Sequence, residues 1–598
     1  MDNARSVYNS LLTLLTAVLT YFAIYSDVFG KLPVVTLETG IVFVAIAFAY
    51  YRYGHLCAKN KETATLSLFF SVCMVLGRAY DKKDTFFILF SSKGEMAASF
   101  FTISGFFVLF YFCLCMIEKA ALTVILSREI TSLSNKDKMK YGGIILLCWL
   151  PVLIAFLPGS FDHDSFAQLL FWTGEEHWTT HHPVISTIYL GLIMDLGKYV
   201  LHNVNAGTFL YIFIQTIFCI YAILKMIGMI QKLGIPLYGI YMTFFFFSVV
   251  PIWSGYVQCT IKDGMHFIFY IMYSIFLIEM MLDPSWLHHW SNRVKFLLSV
   301  FGIFSFRNTG IYLFLLSFVP FAVYSIYKNK KYKCFWKDYT LICATVIFVH
   351  FSFMNILVPF MGIRKGSVAE MLSIPFQQTA RYVKKHPHDI TVEEYNAVNE
   401  VLPVKRLPEI YDSQISDPVK FSMKKNHANK IKKYFKAWLF MGLRHPGTYL
   451  DATISSTYDY FYPDGFSKAR KTGLKLYIKD KNDKNSPNRG TYDVTYIQSE
   501  SIRKKVTRYM LGSWRKIPVM GLCYNTGIYT WISLVCLMLL AKKKKIYALF
   551  AFLPSAATLL FCIASPVNGY IRYMLPIIAT MPLMISWTIY SLNKKANE

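Results

Sequence analysis

Charged residues are scarce in this sequence, and acidic residues are the scarcer half of them. Asp, Glu, Lys and Arg make up 16% of the 598 residues, whereas about 25% is usual in soluble globular proteins. Hydrophobic residues account for 55% of the chain, and the mean hydropathy is +0.38. A bilayer crossing needs about 20 apolar residues. The composition therefore excludes an ordinary soluble domain and predicts an α-helical polytopic membrane protein.

Cysteine is missing from the whole stretch between Arg364 and Leu522, although the chain has 12 cysteines elsewhere. A large segment without cysteine needs no disulfide bond, which fits a bacterial surface better than an endoplasmic reticulum lumen. The paired C-x-x-C spacing of structural zinc sites is also absent from the sequence.

The few charged residues are unevenly divided, with 62 Lys and Arg against 35 Asp and Glu, a net charge of +27. In a soluble protein this excess would suggest nucleic acid binding, but base-reading motifs are missing. We therefore expect basic cytoplasmic loops and a basic outer domain near anionic lipid. The lipid bilayer is a predicted partner, and nucleic acid is not.

Fourteen apolar segments bounded by charge are predicted to cross the membrane. They are 7–25, 35–51, 64–76, 100–117, 141–157, 208–227, 237–253, 265–282, 294–306, 311–327, 339–361, 519–540, 546–563 and 571–591. With the basic clusters around Arg128 to Lys140, Lys328 to Lys337, Lys542 to Lys545 and Lys594-Lys595 placed in the cytoplasm, both termini are cytoplasmic. This topology requires that residues 185–200 lie in the interface without crossing.

The spans divide the chain into four predicted domains. Residues 1–140 form an N-terminal membrane module, 141–363 a membrane core with an acidic outer loop at 158–183, and 519–598 the last spans. Residues 364–518 form a small α+β extracytoplasmic domain, because helical periodicity (KYFKAWLFMGLRHP) alternates there with strand-like LKLYIKD and GTYDVTYI around the turn-rich KDKNDKNSPNRG.

Two aspartates, Asp162 and Asp164, stand in the loop sequence FDHDSFAQ directly after a predicted span. An aspartate here can cap the helix that starts at this point. Alternatively, a carboxylate at the lipid boundary is partly desolvated, so its pKa rises and it can act as a general base.

The same loop contains His177 and His181, spaced as two zinc ligands on one helix face would be. However, Trp178 stands where the zincin motif has Glu, and Pro183 disfavours a helix. We assign no metal ligand from these residues, and the sequence leaves open whether the protein uses a divalent metal. His181 and His182 are instead expected to bind phosphate or sugar.

Cationic residues fall at the outer ends of several predicted spans, namely Lys262, Arg307 and Arg572. Each could be an interfacial side chain that extends to water, and Lys262 could pair with Asp263. Charges at membrane depth are costly and usually functional, so these cations are candidates for binding an anionic lipid headgroup.

A further pair of charged residues, Glu370 and Arg381, follows a predicted span in the sequence EMLSIPFQQTARYVKKH. These side chains could cover the same site, or the segment could be an amphipathic interfacial helix.

These patterns resemble those of the GT-C glycosyltransferases, polytopic enzymes that use lipid-phosphate-linked sugars. The resemblance is carried by the acidic loop after a span, by a large outer domain late in the chain, and by the RYMLP segment with Arg572, Tyr573 and Pro576.

The chain also looks like an uncharacterised family of Gram-positive membrane proteins, through LSIPFQQTARYV, WLFMGLRHPGTYLDA…YFYP and a PG-x-x-x-x-DS-x-x-Q…G…HP pattern. The pattern residues are Pro158, Gly159, Asp164, Ser165, Gln168, Gly174, His182 and Pro183.

The resemblance implies transfer of a sugar from a polyprenyl-phosphate donor on the outer face of a bacterial plasma membrane. The acceptor would be a cell-envelope glycan, teichoic acid or protein. Asp164, or else Asp162, would act as the base. The implied donor-phosphate and substrate-binding residues are Arg572, Lys262, Arg307, His181, His182, Tyr573, Gln168, Glu370 and Arg381. The chain departs from the GT-C pattern in the four spans before the loop and in Asp-His-Asp at the usual Asp-Glu.

Three other functions fit the same composition: a flippase or transporter of lipid-linked oligosaccharide, a surface polysaccharide polymerase or ligase, and a non-catalytic scaffold. A transporter is expected to carry its charges near the midplane of the bilayer. The charges here fall at the ends of spans, which favours the enzyme.

Overall fold

The structure is a computed structural model that describes residues 2–26, 36–127, 134–328, 333–424, 430–463, 492–517, 520–565 and 567–594. These residues are mostly helical, and strand-type pairing among them is limited to four isolated bridges. A helix satisfies its own backbone hydrogen bonds, which apolar surroundings require.

The N-terminal module consists of four helices, in which α1 and α3 both pack against α4. Arg78 of α3 donates hydrogen bonds to the carbonyls of Ala23 and Ile24 at the end of α1, at 2.7 and 3.0 Å. The helices are α1 (Asp2–Tyr25), α2 (Leu37–Tyr53), α3 (Lys61–Lys83) and α4 (Lys93–Leu122).

The central helices enclose the largest apolar core, in which α11 is the most buried of the candidate spans and packs against α8 and α12. They are α5 (Asn135–Ala155), α6 (His163–Thr173), α7 (Val184–Asp195), α8 (Val204–Lys232), α9 (Leu237–Val249), α10 (Pro251–Val257), α11 (Lys262–Leu282), α12 (Trp290–Phe306), α13 (Gly310–Lys328) and α14 (Trp336–Phe360).

The polar segment, residues 364–518, has its own small core of helices and turns. Its main helices are α15 (Ser373–Lys385), α16 (Val392–Asn399), α17 (Ile431–Arg444), α18 (Pro446–Ser455) and α19 (Glu500–Thr507). The chain ends with α20 (Thr526–Lys542), α21 (Ile546–Ile563) and α22 (Ile571–Asn593), and α22 packs between α11 and α20.

Nine helices in the described part of the chain are long and apolar enough to cross a membrane, or ten if the pair α9–α10, bent by 50°, counts as one span. The nine are α3, α4, α5, α8, α11, α13, α14, α21 and α22. Every predicted span overlaps a helix. The chain is a helical polytopic membrane protein, as its composition predicts.

The expected strands of the polar segment are not seen where they are described. From Tyr492 onward, GTYDVTYI is extended but forms no strand pairing. It packs against helix ends instead, with the Ile497 N–H bound to the Leu157 carbonyl at 3.0 Å. LKLYIKD and KDKNDKNSPNRG lie outside the described residues, as do Arg128, Lys330, Lys331 and Lys595 of the basic clusters.

Candidate functional site

The acidic loop is held beside the start of α11 by backbone pairing. The Ser160 N–H binds the carbonyl of Gln258, and the Thr260 N–H binds the carbonyl of Ser160, each at 2.9 Å. This pairing runs along the residues immediately before α11. It brings the two loop aspartates next to the first turn of α11, which carries Lys262 and Asp263.

Arg572, in the first turn of α22, binds three carboxylates at once. It donates through Nη1 to Asp162 at 2.8 Å, through Nε to Asp263 at 2.7 Å, and through Nη2 to Asp164. The planar fork of a guanidinium can satisfy several acceptors in this way. The Arg572 side chain is 8% exposed, so it does not extend to water as an interfacial arginine would.

Two further cations complete this group. Lys262 donates to the Asp164 carboxylate at 2.7 Å and contacts Nδ1 of His182 at 2.9 Å. Arg307 lies 3.8 Å from Asp263 and over the ring of Tyr573, 5.1 Å from its centroid.

We call this group the Arg572 cluster. Its members are Asp162, Asp164, Lys262, Asp263, Arg307 and Arg572. Three carboxylates face three cations, so the formal charges balance.

The aspartates of the Arg572 cluster differ in exposure. The side chains of Asp162 and Asp263 are 2% and 3% exposed, whereas that of Asp164 is 24% exposed. Burial alone would raise the pKa of the Asp164 carboxyl, but the charges of Arg572 and Lys262 hold this pKa well below its usual range. The expectation that the pKa of this carboxyl rises is therefore wrong for Asp164, which is an ionised carboxylate that stays partly exposed.

Helix capping does not explain these aspartates. Asp162 occupies the N-cap position of α6, but its side chain makes no capping hydrogen bond and binds Arg572 instead. Asp164 lies in the first turn of α6 and binds Arg572 and Lys262.

His182 is neutral in this setting. Burial and the nearby charge of Lys262 lower the pKa of His182 well below its usual range. A neutral ring can accept a hydrogen bond from the Lys262 ammonium through Nδ1.

The loop before α22 is tied to the polar segment, which positions Arg572. The Asn568 side chain accepts a hydrogen bond from the Asp459 N–H at 3.1 Å and donates to Oε1 of Gln414 at 2.7 Å. The Asn568 N–H also binds the Gln414 carbonyl at 3.0 Å. Sequence reasoning did not select these residues, although Asn568 and Gly569 in SPVNGY form a recognisable turn signal.

Three predicted binding residues lie around the Arg572 cluster without joining its ion pairs. His181 is 3.8 Å from Glu370, and Glu370 in turn binds Lys420 at 2.6 Å. Gln168 is buried and donates to the hydroxyls of Ser186 and Thr187 in α7, at 2.7 and 3.0 Å. Gln168 thus fastens α6 to α7, because a buried amide must find partners within the protein.

Arg381, which was expected to cover the same site, forms its ion pairs in a second group of charged residues. It binds Asp84 at the end of α3 at 3.3 Å, Asp451 at 2.6 Å and the Tyr411 hydroxyl at 3.0 Å. We call Asp84, Arg381, Lys385 and Asp451 the Arg381 cluster. Asp451 also accepts from Lys385 at 2.7 Å.

The Arg381 cluster joins the N-terminal module to the polar segment, since Asp451 accepts from the Tyr80 hydroxyl at 2.9 Å and the Phe86 N–H at 3.1 Å. Sequence reasoning did not single out Asp451 or Asp84, which are separated by 367 positions in the chain (451 − 84). Their meeting cannot be read from local spacing.

The spacing of His177 and His181 does not place them on one helix face, because residues 174–183 are turns and extended backbone. Thr179 pairs there with Arg364 in an isolated bridge. Among the residues that the structure describes, the group with the geometry to hold a metal ion consists of His386, Asp389 and His445, and it does not include His177 or His181.

Residues 166–598 match the sequence model of DUF6020, described as a family of unknown function. The match begins just after Asp164, so it contains Lys262, Asp263, Arg307 and Arg572 but neither loop aspartate. Comparisons with curated proteins and with solved structures found no match. Because the matched residues make up more than two thirds of the chain, the protein belongs to the DUF6020 family.

Proposed function

We propose that this protein is a GT-C-type membrane glycosyltransferase that moves a sugar from a polyprenyl-phosphate-linked donor to a cell-envelope acceptor on the outer face of the membrane. The observation that carries the proposal is Asp164, a partly exposed carboxylate held between Lys262 and Arg572 at the ends of α6, α11 and α22.

In this proposal the three aspartates of the Arg572 cluster have two roles. Asp162 and Asp263 are buried and bind separate nitrogens of Arg572, so they act as positioning residues. Asp164 accepts a hydrogen bond from the acceptor hydroxyl and takes its proton as the new bond forms.

The cations bind the leaving phosphate. Lys262 and Arg307 have side chains that are 11% and 16% exposed, and the Arg307 guanidinium lies 3.8 Å from the Asp263 carboxylate. Preorganised cations stabilise the charge that develops on a leaving group. Tyr573, which lies under both Arg307 and Arg572, supports these guanidinium groups.

The reaction balances without a redox step. A bond forms between the acceptor oxygen and the anomeric carbon, and the bond between that carbon and the phosphate oxygen breaks. The acceptor proton passes to Asp164, and the electron pair leaves with the polyprenyl phosphate.

The proposal includes a topology of fourteen spans, in which α1, α2, the bent pair α9–α10, α12 and α20 also cross. The polar segment then lies outside a bacterial plasma membrane as an extracytoplasmic domain that binds the acceptor. Both termini lie in the cytoplasm, consistent with the lysines after α20 and α22.

The test compares cells that carry wild-type protein, Asp164→Asn or Glu176→Gln. Glu176 is an exposed acidic residue of the same loop and serves as the matched control. Loss of a general base typically slows a reaction about 10²–10⁴-fold. We expect Asp164→Asn to abolish addition of the sugar to the envelope glycan and Glu176→Gln to leave it intact.

The side of the membrane on which the lipid-linked sugar accumulates distinguishes a transferase from a flippase. If transfer fails, the lipid-linked sugar accumulates on the outer face of the membrane, whereas loss of a flippase leaves it on the inner face. An unchanged envelope glycan in Asp164→Asn, with the protein folded and present at the wild-type level, would exclude the proposed base.

A further inference from the structure

Two histidines and an aspartate meet at a corner of the polar segment, outside the Arg572 cluster. His386 follows the end of α15 and His445 follows the end of α17, and each is followed by a proline that starts the next helical turn. The ligand atoms of His386, Asp389 and His445 all lie within 4.8 Å of one another.

One carboxylate oxygen faces both imidazole rings. Oδ2 of Asp389 is 2.8 Å from Nε2 of His445 and 3.8 Å from Nδ1 of His386. The two rings are parallel within 7°, with their centroids 3.8 Å apart. Ligands of one tetrahedral zinc ion are about 3.4 Å from each other, given zinc–ligand bonds of about 2.0–2.2 Å. The two distances from Oδ2 of Asp389, 2.8 and 3.8 Å, lie on either side of that spacing.

The second nitrogen of His386 has a partner of its own, since Nε2 lies 2.8 Å from the hydroxyl of buried Thr448. With the ring proton on Nε2, the lone pair of Nδ1 faces the Asp389 carboxylate, so two acceptors point at one space. Metal-binding histidines characteristically donate their other N–H to an outer partner in this way.

The nearest cations already have acidic partners. Arg444 binds Glu394 at 2.8 Å, and Lys385 binds Asp451 at 2.7 Å. The Asp389 carboxylate faces both imidazole rings, so a cation placed among the three groups would meet one carboxylate oxygen and two ring nitrogens, the ligand types that zinc prefers.

We propose that His386, Asp389 and His445 bind one divalent transition-metal ion, with Zn²⁺ as the best match to two imidazoles and a carboxylate. The ion fastens the turn before α16 to the start of α18. Because α18 carries Asp451 of the Arg381 cluster, the metal would also steady the contact between the polar segment and the N-terminal module. The fourth position is open to water.

The experiment uses the full chain, purified in detergent and stripped with a chelator. Zinc chloride is titrated calorimetrically, and Co²⁺ is added separately to record the visible absorption of a tetrahedral nitrogen–oxygen site. We expect one Zn²⁺ per chain, a higher Tm with zinc, and at least a tenfold loss of affinity in His386→Ala, in His445→Ala and in Asp389→Asn.

The matched control is His388→Ala, an exposed histidine between two of the proposed ligands, which should bind zinc as wild type does. The Tm of each metal-free variant shows that it is folded, and Asp389→Asn keeps the shape of the side chain if an alanine variant is unstable. Wild-type protein that does not bind Zn²⁺ would overturn the proposal. So would zinc binding that persists in the double variant His386→Ala/His445→Ala, for example at His177 and His181.

Discussion

At the scale of single residues, Asp162 and Asp164 show how two neighbouring carboxylates acquire different chemistry. Both bind Arg572, but Asp162 is buried and Asp164 also contacts Lys262 and remains partly exposed. Breaking a buried ion pair by removing one partner typically costs about 3–5 kcal/mol. Asp162 thus holds Arg572 in place, and Asp164 is the carboxylate of the pair that stays accessible.

The depressed pKa of Asp164 predicts a specific dependence of stability on pH. The folded-state pKa lies well below the unfolded value, which is about 3.9 for aspartate. The ionised group therefore stabilises the fold above that value, and this contribution is lost as the pH falls through the folded-state pKa. We expect the Tm of the purified protein to fall more between about pH 5 and pH 3 in wild type than in Asp164→Asn.

The control for this measurement is Glu176→Gln, which should follow the wild-type curve because Glu176 is exposed. Parallel curves for wild type and Asp164→Asn would show that Asp164 has an ordinary pKa in the folded protein.

At the scale of secondary-structure elements, the candidate site depends on a close approach between α8 and α11. Gln215 of α8 donates to the carbonyls of Val257 and Cys259, at 2.8 and 3.0 Å. These carbonyls belong to the segment that pairs with the acidic loop. Gly264 of α11 lies against the Gln215 amide, and a Cβ atom there would be 2.5 Å from Oε1.

We expect Gly264→Ala to lower both the Tm and sugar transfer. The added methyl group displaces the Gln215 amide, and each hydrogen bond that it loses costs about 0.5–1.5 kcal/mol. Thermal unfolding and the envelope-glycan assay measure the two effects.

Gly143→Ala is the matched control, because a Cβ at this position in α5 meets no atom within 4 Å. Alanine is also favoured over glycine inside a helix by about 1 kcal/mol. A Gly264→Ala variant as stable and active as Gly143→Ala would contradict this account of the site.

The elements themselves were predictable from local sequence, and their side-chain partners were not. Apolar runs predict helices because a bilayer leaves the backbone no other partner, and every predicted span overlaps a helix. Gln168 was selected because it belongs to the pattern that carries the family resemblance, and Arg381 because it follows a predicted span. Their partners, the hydroxyls of α7 and the carboxylates of Asp84 and Asp451, come from other elements.

At the scale of the whole molecule, several contacts connect the polar segment to the membrane helices. The Arg381 cluster joins it to α3, and the contacts of Asn568 join it to the loop before α22. Gly77 of α3 also lies against the ring of Tyr462, which leaves no space for a methyl group at this position.

We expect Gly77→Ala to weaken the association of the N-terminal module with the polar segment. A Cβ at this position would lie 2.2 Å from Cγ of buried Tyr462, and overpacking of this kind typically costs about 1–3 kcal/mol. A lower Tm and faster limited proteolysis of the purified protein would measure the effect.

Gly40→Ala in α2 is the control, because a Cβ there meets nothing within 4 Å. Equal Tm values and equal proteolysis rates for Gly77→Ala and Gly40→Ala would show that the Tyr462 contact does not hold the two parts together.

The Arg572 cluster could be predicted only in outline at this scale. The predicted topology already puts the charged residues at one end of the spans. These residues are the two loop aspartates, Lys262, Arg307 and Arg572. The pairing of Arg572 with Asp162 across 410 positions follows from helix packing, and no local pattern encodes it. Asp263, expected at most to neutralise Lys262, binds Arg572 and Arg307 instead.

The anchoring of Asn568 by Gln414 and Asp459 has a mechanical consequence. Only four positions separate Asn568 from Arg572 (572 − 568), so a short piece of chain connects the polar segment to the Arg572 guanidinium. In the proposed transferase, an acceptor that displaces the polar segment would therefore also move Arg572 at the N-terminal end of α22. Binding of the acceptor and alignment of the charges around it would then occur together.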